Sequence, residues 1–174
     1  MPTIESTTSI NAPVERCFDM ARSIDLHVES TKHTGETAIA GRTSGLIGLG
    51  ETVTWRAKHF GIWQNLTSKI TEFNYPNSFT DELVDGAFKS LHHQHMFRTV
   101  NGITEMKDIF HFESPFGIFG KLANALFLTR YMTTLLEKRN RGDKRNYRIN
   151  AIPFLGCEER GILIAVLRSV KKSC

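Results

Sequence analysis

The sequence predicts an α+β fold in which one antiparallel sheet packs against helices. Two observations predict it. From about residue 32 to residue 113, apolar residues recur at every second position in successive segments, and turn residues separate these segments. Before and after this region the apolar spacing is helical. Closely spaced strands joined by tight turns predict an antiparallel meander.

The N-terminal part predicts one strand followed by two short helices. Residues 3–11 alternate in polarity and are rich in β-branched residues, as is typical of a strand. Pro13 suits the first turn of a helix. The apolar face of that helix follows the i, i+3, i+4, i+7 spacing and comprises Val14, Cys17, Phe18 and Ala21. A second helix is predicted over residues 23–29, with Ile24 and Val28 directed inward.

Six further strands are predicted in the central region. They span residues 32–39, 50–58, 62–73, 78–84, 88–98 and 103–113. Turn residues occupy the breaks, and Asn101-Gly102 is the strongest hairpin signal, because both residues accept the positive φ of a two-residue turn. Pro115 ends the last strand.

A long helix is predicted from residue 116 to about residue 141, where the apolar spacing is helical again. The segment is apolar over much of its circumference, which suits a helix lying across a sheet. An amphipathic helix at a membrane surface is the alternative, although such helices usually have a strongly basic polar face.

The charge is distributed unevenly along the 174 residues. Residues 1–137 hold 12 Lys and Arg against 15 Asp and Glu, a net −3, whereas residues 138–174 hold 10 against 3, a net +7. The main body is therefore not expected to bind nucleic acid. The basic tail is expected to make at most a weak contact with an anionic surface.

Cysteine usage and hydropathy predict a cytoplasmic protein without a transmembrane segment. Cys17, Cys157 and Cys174 form no CxxC pair and no disulfide framework. The N-terminus shows no secretory signal pattern. Lys121 and Arg130 interrupt the most apolar stretch, so no run of about 18 apolar residues occurs.

Several segments resemble the START-like helix-grip superfamily (SRPBCC), which includes pollen-allergen-like and polyketide-cyclase-like proteins. SINAPVERCFDMARSID resembles its entry from strand to helix. GLGETVTWRAKHFG and LTSKITEFNYPNSFTDELVDGAFKSLHHQHMF resemble its central meander, and DIFHFESPFGIFGKLANALFL resembles its last strand and long helix. The resemblance covers a domain of residues 1–141. Residues 142–174 form a basic extension outside the family pattern.

The resemblance implies a curved sheet of six to seven strands wrapped around the long C-terminal helix, with a cavity between them. It implies intracellular binding or transport of a small hydrophobic, lipid-like or polyketide-like ligand. A cyclase or dehydratase is the alternative, and no cofactor is expected. The glycine-rich residues 41–50 are then expected to form a mobile loop at the cavity mouth. They are not expected to bind a nucleotide, because a strand and not a helix follows them.

Strand alternation predicts which side chains line the cavity. The expected ligand contacts are Val53, Trp55, Phe79, Asp81, Leu91, His93, His95, Phe97, Met106, Asp108, Phe110, Leu122 and Leu126. Trp63 is expected at the rim. The titratable residues on the inward face are Glu51, Asp81, His93, His95 and Asp108. Because a buried carboxylate is unfavourable unless it is paired, these residues are expected to satisfy one another.

Four interpretations of this inward polar group remain open. The first is a structural network with ordered water. The second is a set that orients the polar end of an apolar ligand. In the third, His93 or His95 works with Asp81 or Asp108 in acid–base catalysis. A metal site comes last: His93 and His95 share one strand face about 7 Å apart, and a carboxylate could complete the shell, but the related families seldom use metals, so no metal is expected.

Overall fold

The computed structural model describes residues 3–59, 61–113 and 130–138. The strands are β1 (Thr3–Ile10), β2 (Thr37–Gly41), β3 (Thr52–His59), β4 (Ile62–Asn74), β5 (Ser78–Gly86), β6 (Ser90–Val100) and β7 (Ile103–Glu113). The helices are α1 (Val14–Ala21), α2 (Ile24–Ser30) and a single 3-10 turn over Lys32–Thr34. Residues 130–138 are also helical.

The seven strands form one antiparallel sheet in the order β1-β7-β6-β5-β4-β3-β2. This confirms the predicted α+β class and the antiparallel meander. The hairpin between β6 and β7 turns at Asn101 and Gly102, whose φ values are 51° and 77°. Both residues thus adopt the positive φ that a two-residue turn requires.

Helix α1 covers one end of the sheet through Phe18. Cys17 and Phe18 are fully buried, as the helical spacing predicts, and the helix packs on β6 and β7. The Phe18 ring meets four other rings at centroid distances of 5.1–5.5 Å, namely Phe73, Tyr75, Phe79 and Phe97. Removing a buried aromatic ring of this kind costs about 3–5 kcal/mol.

The strand predicted over residues 32–39 is wrong in its first half. There the chain continues from α2 into the 3-10 turn, because two threonine side chains prolong the helical hydrogen bonding. Thr31 Oγ1 donates to the His27 carbonyl and Thr34 Oγ1 donates to the Thr31 carbonyl, each at 2.8 Å. Gly35 then adopts a φ of 65°, which ends the turn, and β2 begins only at Thr37.

The predicted long C-terminal helix is described at residues 130–138, where it packs on the sheet. Leu136 is buried together with Leu91 and Phe110. The remainder of the prediction, including Leu122 and Leu126, lies outside the described residues, as does the basic tail. Within the described ranges, none of the helices has both the length and the apolar character needed to cross a bilayer.

Candidate functional site

A cavity of about 600 Å³ lies between the inner face of the sheet on one side and α2 with residues 130–138 on the other. This volume falls within the range of about 300–1,000 Å³ that is usual for small-molecule sites. Most of the wall is apolar, including Ile24, Ile47, Val53, Trp55, Leu66, Ile70, Phe79, Leu91, Phe110, Met132, Leu135 and Leu136. Two groups of titratable side chains interrupt it.

The first group, called the strand cluster, consists of Asp81, His93, His95 and Asp108. Asp81 lies on β5, the two histidines on β6 and Asp108 on β7. The antiparallel register places Asp81 opposite His93 and His95 opposite Asp108. The predicted inward faces of these strands and the observed register therefore bring all four residues together.

Each imidazole of the strand cluster lies between two carboxylates. Asp108 Oδ1 is 2.7 Å from His95 Nδ1 and 3.4 Å from His93 Nε2. The other ring nitrogens face Asp81 Oδ1, at 3.5 Å from His95 Nε2 and 3.6 Å from His93 Nδ1. The Phe79 ring stacks on His95 with a centroid distance of 4.3 Å. These contacts fix both imidazole planes.

The strand cluster is deeply buried on its β6 and β7 side. His93, His95 and Asp108 are 3%, 4% and 1% exposed, whereas the Asp81 side chain is 19% exposed. Asp81 and the histidines line the cavity, and Asp108 lies behind them. A histidine beside a carboxylate can both accept and donate a proton near neutral pH. The arrangement can therefore orient a polar ligand group or transfer a proton.

The second group, called the helix-side cluster, consists of His27, Glu36, His59 and Tyr131. His27 Nε2 on α2 lies 3.5 Å from Glu36 Oε1, just before β2. His59 Nδ1 at the end of β3 hydrogen-bonds with the Tyr131 hydroxyl at 2.8 Å. The His27 ring also stacks on Trp55, with a centroid distance of 4.1 Å. All four members line the cavity.

Electrostatics keep Glu36 ionised. Burial acts to raise the pKa of Glu36, but the charge of His27 and its hydrogen bond, with further help from His59 and Thr31, bring that pKa below its usual value. Burial raises the pKa of Tyr131, and the neighbouring Glu36 charge raises it further. At neutral pH the helix-side cluster thus presents a carboxylate and a neutral phenol to the cavity.

Some of the predicted contact residues line the cavity and others do not. The cavity wall includes Val53, Trp55, Phe79, Asp81, Leu91, His93, His95 and Phe110. Phe97 and Met106 instead pack in the core with Phe18. These two residues and Asp108 do not line the cavity.

Glu51 does not face the cavity, contrary to the sequence prediction. Its carboxylate pairs with Arg42 and accepts a hydrogen bond from the Gly48 N–H at 2.7 Å. The hydrogen bond from Arg42 is the main cause of a lowered pKa for Glu51. The prediction fails because β3 begins at Thr52, so strand alternation does not extend to residue 51.

The glycine-rich connection between β2 and β3 contributes to the wall through Ile47, which is 4% exposed. Its backbone is held against the helices, because the Ile24 N–H donates to the Gly45 carbonyl at 2.9 Å and the Ile47 N–H donates to the Arg22 carbonyl at 3.1 Å. A connection between two strands lacks the strand-to-helix step of a dinucleotide-binding loop.

Trp63 lies on the outer surface. Its side chain is exposed, with the Arg56 guanidinium 5.3 Å from its ring centroid. Trp55, on the inner face of β3, is the tryptophan that lines the cavity.

The sequence predictions missed the helix-side cluster, although the residue spacing indicates that two of its members face inward. His27 is three residues after Ile24 and therefore shares the inward face of α2. His59 continues the inward alternation of Trp55 and Ala57, and the predicted strand ended one residue too early. Glu36 follows the unpredicted 3-10 turn, so no periodicity indicates it.

The fold matches known structures, although neither a family model nor a curated protein matches the sequence. The protein TTHA0849 from Thermus thermophilus aligns with a TM-score of 0.71 at 18% identity, over 86% of this chain and 99% of that one. Ginseng major latex-like protein 151 from Panax ginseng aligns with a TM-score of 0.63 at 17% identity, over 84% of this chain and 97% of that one. The protein Ms6760 from Mycobacterium smegmatis aligns with a TM-score of 0.64 at 16% identity, over 85% of this chain and 92% of that one.

These similarities establish the fold. The chain has the fold of the START-like helix-grip superfamily (SRPBCC), as the sequence resemblance indicates.

Proposed function

We propose that the protein binds a small hydrophobic molecule of the lipid or polyketide class in this cavity and carries it in the cytoplasm. The observation that supports the proposal is the apolar wall around about 600 Å³, interrupted by two polar clusters. Sites for small molecules have this composition: apolar surface supplies affinity and a few polar groups fix orientation.

The cavity wall suits a ligand that is apolar along most of its length. Each Å² of apolar ligand surface that leaves water contributes about 25 cal/mol. Trp55 and Phe79 offer aromatic faces to such a ligand. A hydroxyl or carbonyl on the ligand would be oriented by Asp81, His93 and His95, the members of the strand cluster that line the cavity.

Displacement of a fluorescent apolar dye tests this proposal. The wild-type protein is expected to take up the dye and to release it to a competing long-chain fatty acid or aromatic polyketide. In the Trp63→Phe variant, the emission of Trp55 reports the cavity alone, and it is expected to change on ligand addition.

A matched pair of variants locates the binding. Ala57 is buried and lines the cavity, so Ala57→Phe fills part of it and is expected to weaken dye binding at least about tenfold. Val84 is 57% exposed, so Val84→Phe adds the same ring outside and is expected to leave dye binding unchanged. Equal dye binding by the wild type and Ala57→Phe, or no uptake by the wild type, contradicts the proposal.

A second candidate function is catalysis of the cyclase or dehydratase type. The close contacts between His93 or His95 and the carboxylates of Asp81 and Asp108 favour it, because they provide a base and an acid at the cavity wall. It predicts a pH-dependent rate on an enolisable polyketide-like substrate. His95→Ala is expected to abolish turnover while dye binding survives, whereas loss of both indicates structural damage.

A further inference from the structure

We propose that Asp81, His93 and His95 bind one divalent transition-metal ion, such as Zn²⁺, with Asp108 holding the two imidazoles in place. This site goes beyond the proposed binding of an apolar ligand and does not depend on it. The inference rests on the geometry, charge and placement of the strand cluster.

Two of the three separations between these side chains are close to the edges of a metal coordination shell. Asp81 Oδ1 lies 3.5 Å from His95 Nε2 and 3.6 Å from His93 Nδ1. A tetrahedral ion with bonds of about 2.0–2.1 Å places its ligand atoms roughly 3.3–3.4 Å apart. All three candidate ligand atoms lie within 4.8 Å of one another, so small side-chain movements close the shell.

The two histidines approach each other more closely than the strand spacing suggests. Alternate residues on one strand are about 7 Å apart along the backbone. The His93 and His95 rings nevertheless have a centroid distance of 4.0 Å, and each ring presents one nitrogen to Asp81 Oδ1. Two imidazoles this close together can contribute to the same coordination shell.

Asp108 occupies the position of an outer-shell carboxylate. It contacts His95 Nδ1 at 2.7 Å and His93 Nε2 at 3.4 Å, on the ring nitrogens opposite those that face Asp81. In metal sites a ligating histidine commonly has a carboxylate at its second nitrogen, which fixes the tautomer and orients the ring. One carboxylate does this here for both imidazoles.

Charge and donor type favour a divalent ion of the first transition series. Two carboxyl groups, those of Asp81 and Asp108, lie in a largely buried site, where their negative charge is unfavourable unless a cation balances it. One divalent ion neutralises it. Imidazole nitrogen suits Zn²⁺ and its neighbours, whereas Ca²⁺ and Mg²⁺ prefer oxygen ligands throughout.

The ion would be open to the cavity. Asp81, His93 and His95 line the cavity, whereas Asp108 is 1% exposed and lies behind them. Three protein ligands leave a fourth position of a tetrahedral ion vacant, as in zinc sites that bind water or a substrate. That position would accept an oxygen from a molecule in the cavity.

Titration of the chelator-treated protein with Co²⁺, followed by its visible absorption, and competition with Zn²⁺ test the site. The wild type is expected to bind one equivalent. Asp81→Asn is expected to bind at least about 100-fold more weakly, and Asp108→Asn about 10–100-fold more weakly.

His92→Gln is the matched control. His92 lies on the opposite face of β6, near Glu82 and His111 on the outer surface. The variant is expected to bind Co²⁺ like the wild type. Equal affinity of the wild type and Asp81→Asn, or a loss caused by His92→Gln, overturns the proposal.

A measurement on the wild type alone covers the case in which the Asp81 variant fails to fold. The X-ray absorption spectrum of the Zn²⁺-loaded protein is expected to show a coordination shell of two imidazole nitrogens and additional oxygen ligands. A coordination shell of oxygen ligands alone overturns the proposed site. Dye uptake by the metal-free protein is measured in parallel. If the dye binds but no metal does, the metal site is wrong and the proposed ligand binding stands.

Discussion

The strand cluster and the helix-side cluster contain similar chemical groups but are built differently. Each places two histidines near a carboxylate at the cavity wall, Asp81 in the strand cluster and Glu36 in the helix-side cluster. The strand cluster takes its members from three adjacent strands, whereas the helix-side cluster joins α2, the segment before β2, the end of β3 and the helical residues 130–138.

Their solvent exposure differs accordingly. The side chains of His93 and His95 are 4% and 5% exposed, against 23% for His27 and 16% for Glu36. In a sheet, backbone pairing fixes the distance between neighbouring side chains. In the helix-side cluster, the distances between side chains depend instead on how separate helices and strands pack together. The strand cluster should therefore depend on local charge balance, and the helix-side cluster on tertiary packing.

Removal of Asp108 is expected to have the largest effect. Asp108→Ala takes away the carboxylate that both histidines contact from behind and leaves a cavity in the sheet. Breaking a buried charged pair by removing one partner costs about 3–5 kcal/mol. The free energy of unfolding, measured by urea denaturation, checks this value.

Asp85→Ala serves as the control for this loss, since Asp85 is exposed near the end of β5. Its cost is expected to stay within about 0.5 kcal/mol. If the two variants lose similar stability, the buried contacts of Asp108 contribute little.

The way each cluster is built also explains how far the sequence could predict it. The alternation of Leu91, His93, His95 and Phe97 identifies one face of β6, and the hairpin at Asn101 sets its register against Asp108. These two local signals, the alternation along β6 and the hairpin turn, were therefore sufficient to predict that the strand cluster faces inward.

The failures occur where alternation gives way to side-chain hydrogen bonding or to long-range packing. Thr31 and Thr34 prolong the helical turn through their hydroxyls, so the predicted strand begins too early and Glu36 is missed. His59 and Tyr131 are 72 residues apart in the sequence, and no periodic pattern predicts a contact between residues so far apart. Phe97 faces inward as predicted, but α1 covers it.

An intermediate, pH-dependent effect is expected from Glu36→Gln. The pKa of Glu36 lies below its usual value of 4.5, so its stabilisation is fully present above pH 4.5 and is lost as the pH falls through the lowered pKa. The variant is expected to be about 1.5–3 kcal/mol less stable near neutral pH, because it loses a charge-assisted contact with His27.

Unfolding free energies of the wild type and the variant, measured between pH 7 and pH 3, test this expectation. The two curves are expected to converge as the pH falls through the lowered pKa of Glu36. Glu29→Gln, which alters an exposed carboxylate on α2, is expected to follow the wild type. Parallel curves for the wild type and Glu36→Gln would contradict the assignment.

The smallest effect is expected from Tyr131→Phe. The change removes the hydrogen bond to His59 Nδ1 and keeps the ring in place, so the cost is about 0.5–1.5 kcal/mol in urea denaturation. Tyr75→Phe is the matched control, because Tyr75 is 49% exposed and contacts Phe18 through its ring. Equal stability of the two variants would show that the His59 contact adds nothing.

The pairing of the first strand with the last has a consequence for folding kinetics. Ile4 on β1 lies opposite Phe110 on β7, so this pair forms only after the intervening chain has been brought into place. Closing so long a loop costs conformational entropy before any contact offsets it, and sheets dominated by distant pairings fold in roughly milliseconds to seconds. Asp108 lies on β7 opposite Ser6. We therefore expect the strand cluster to be completed late on the folding pathway.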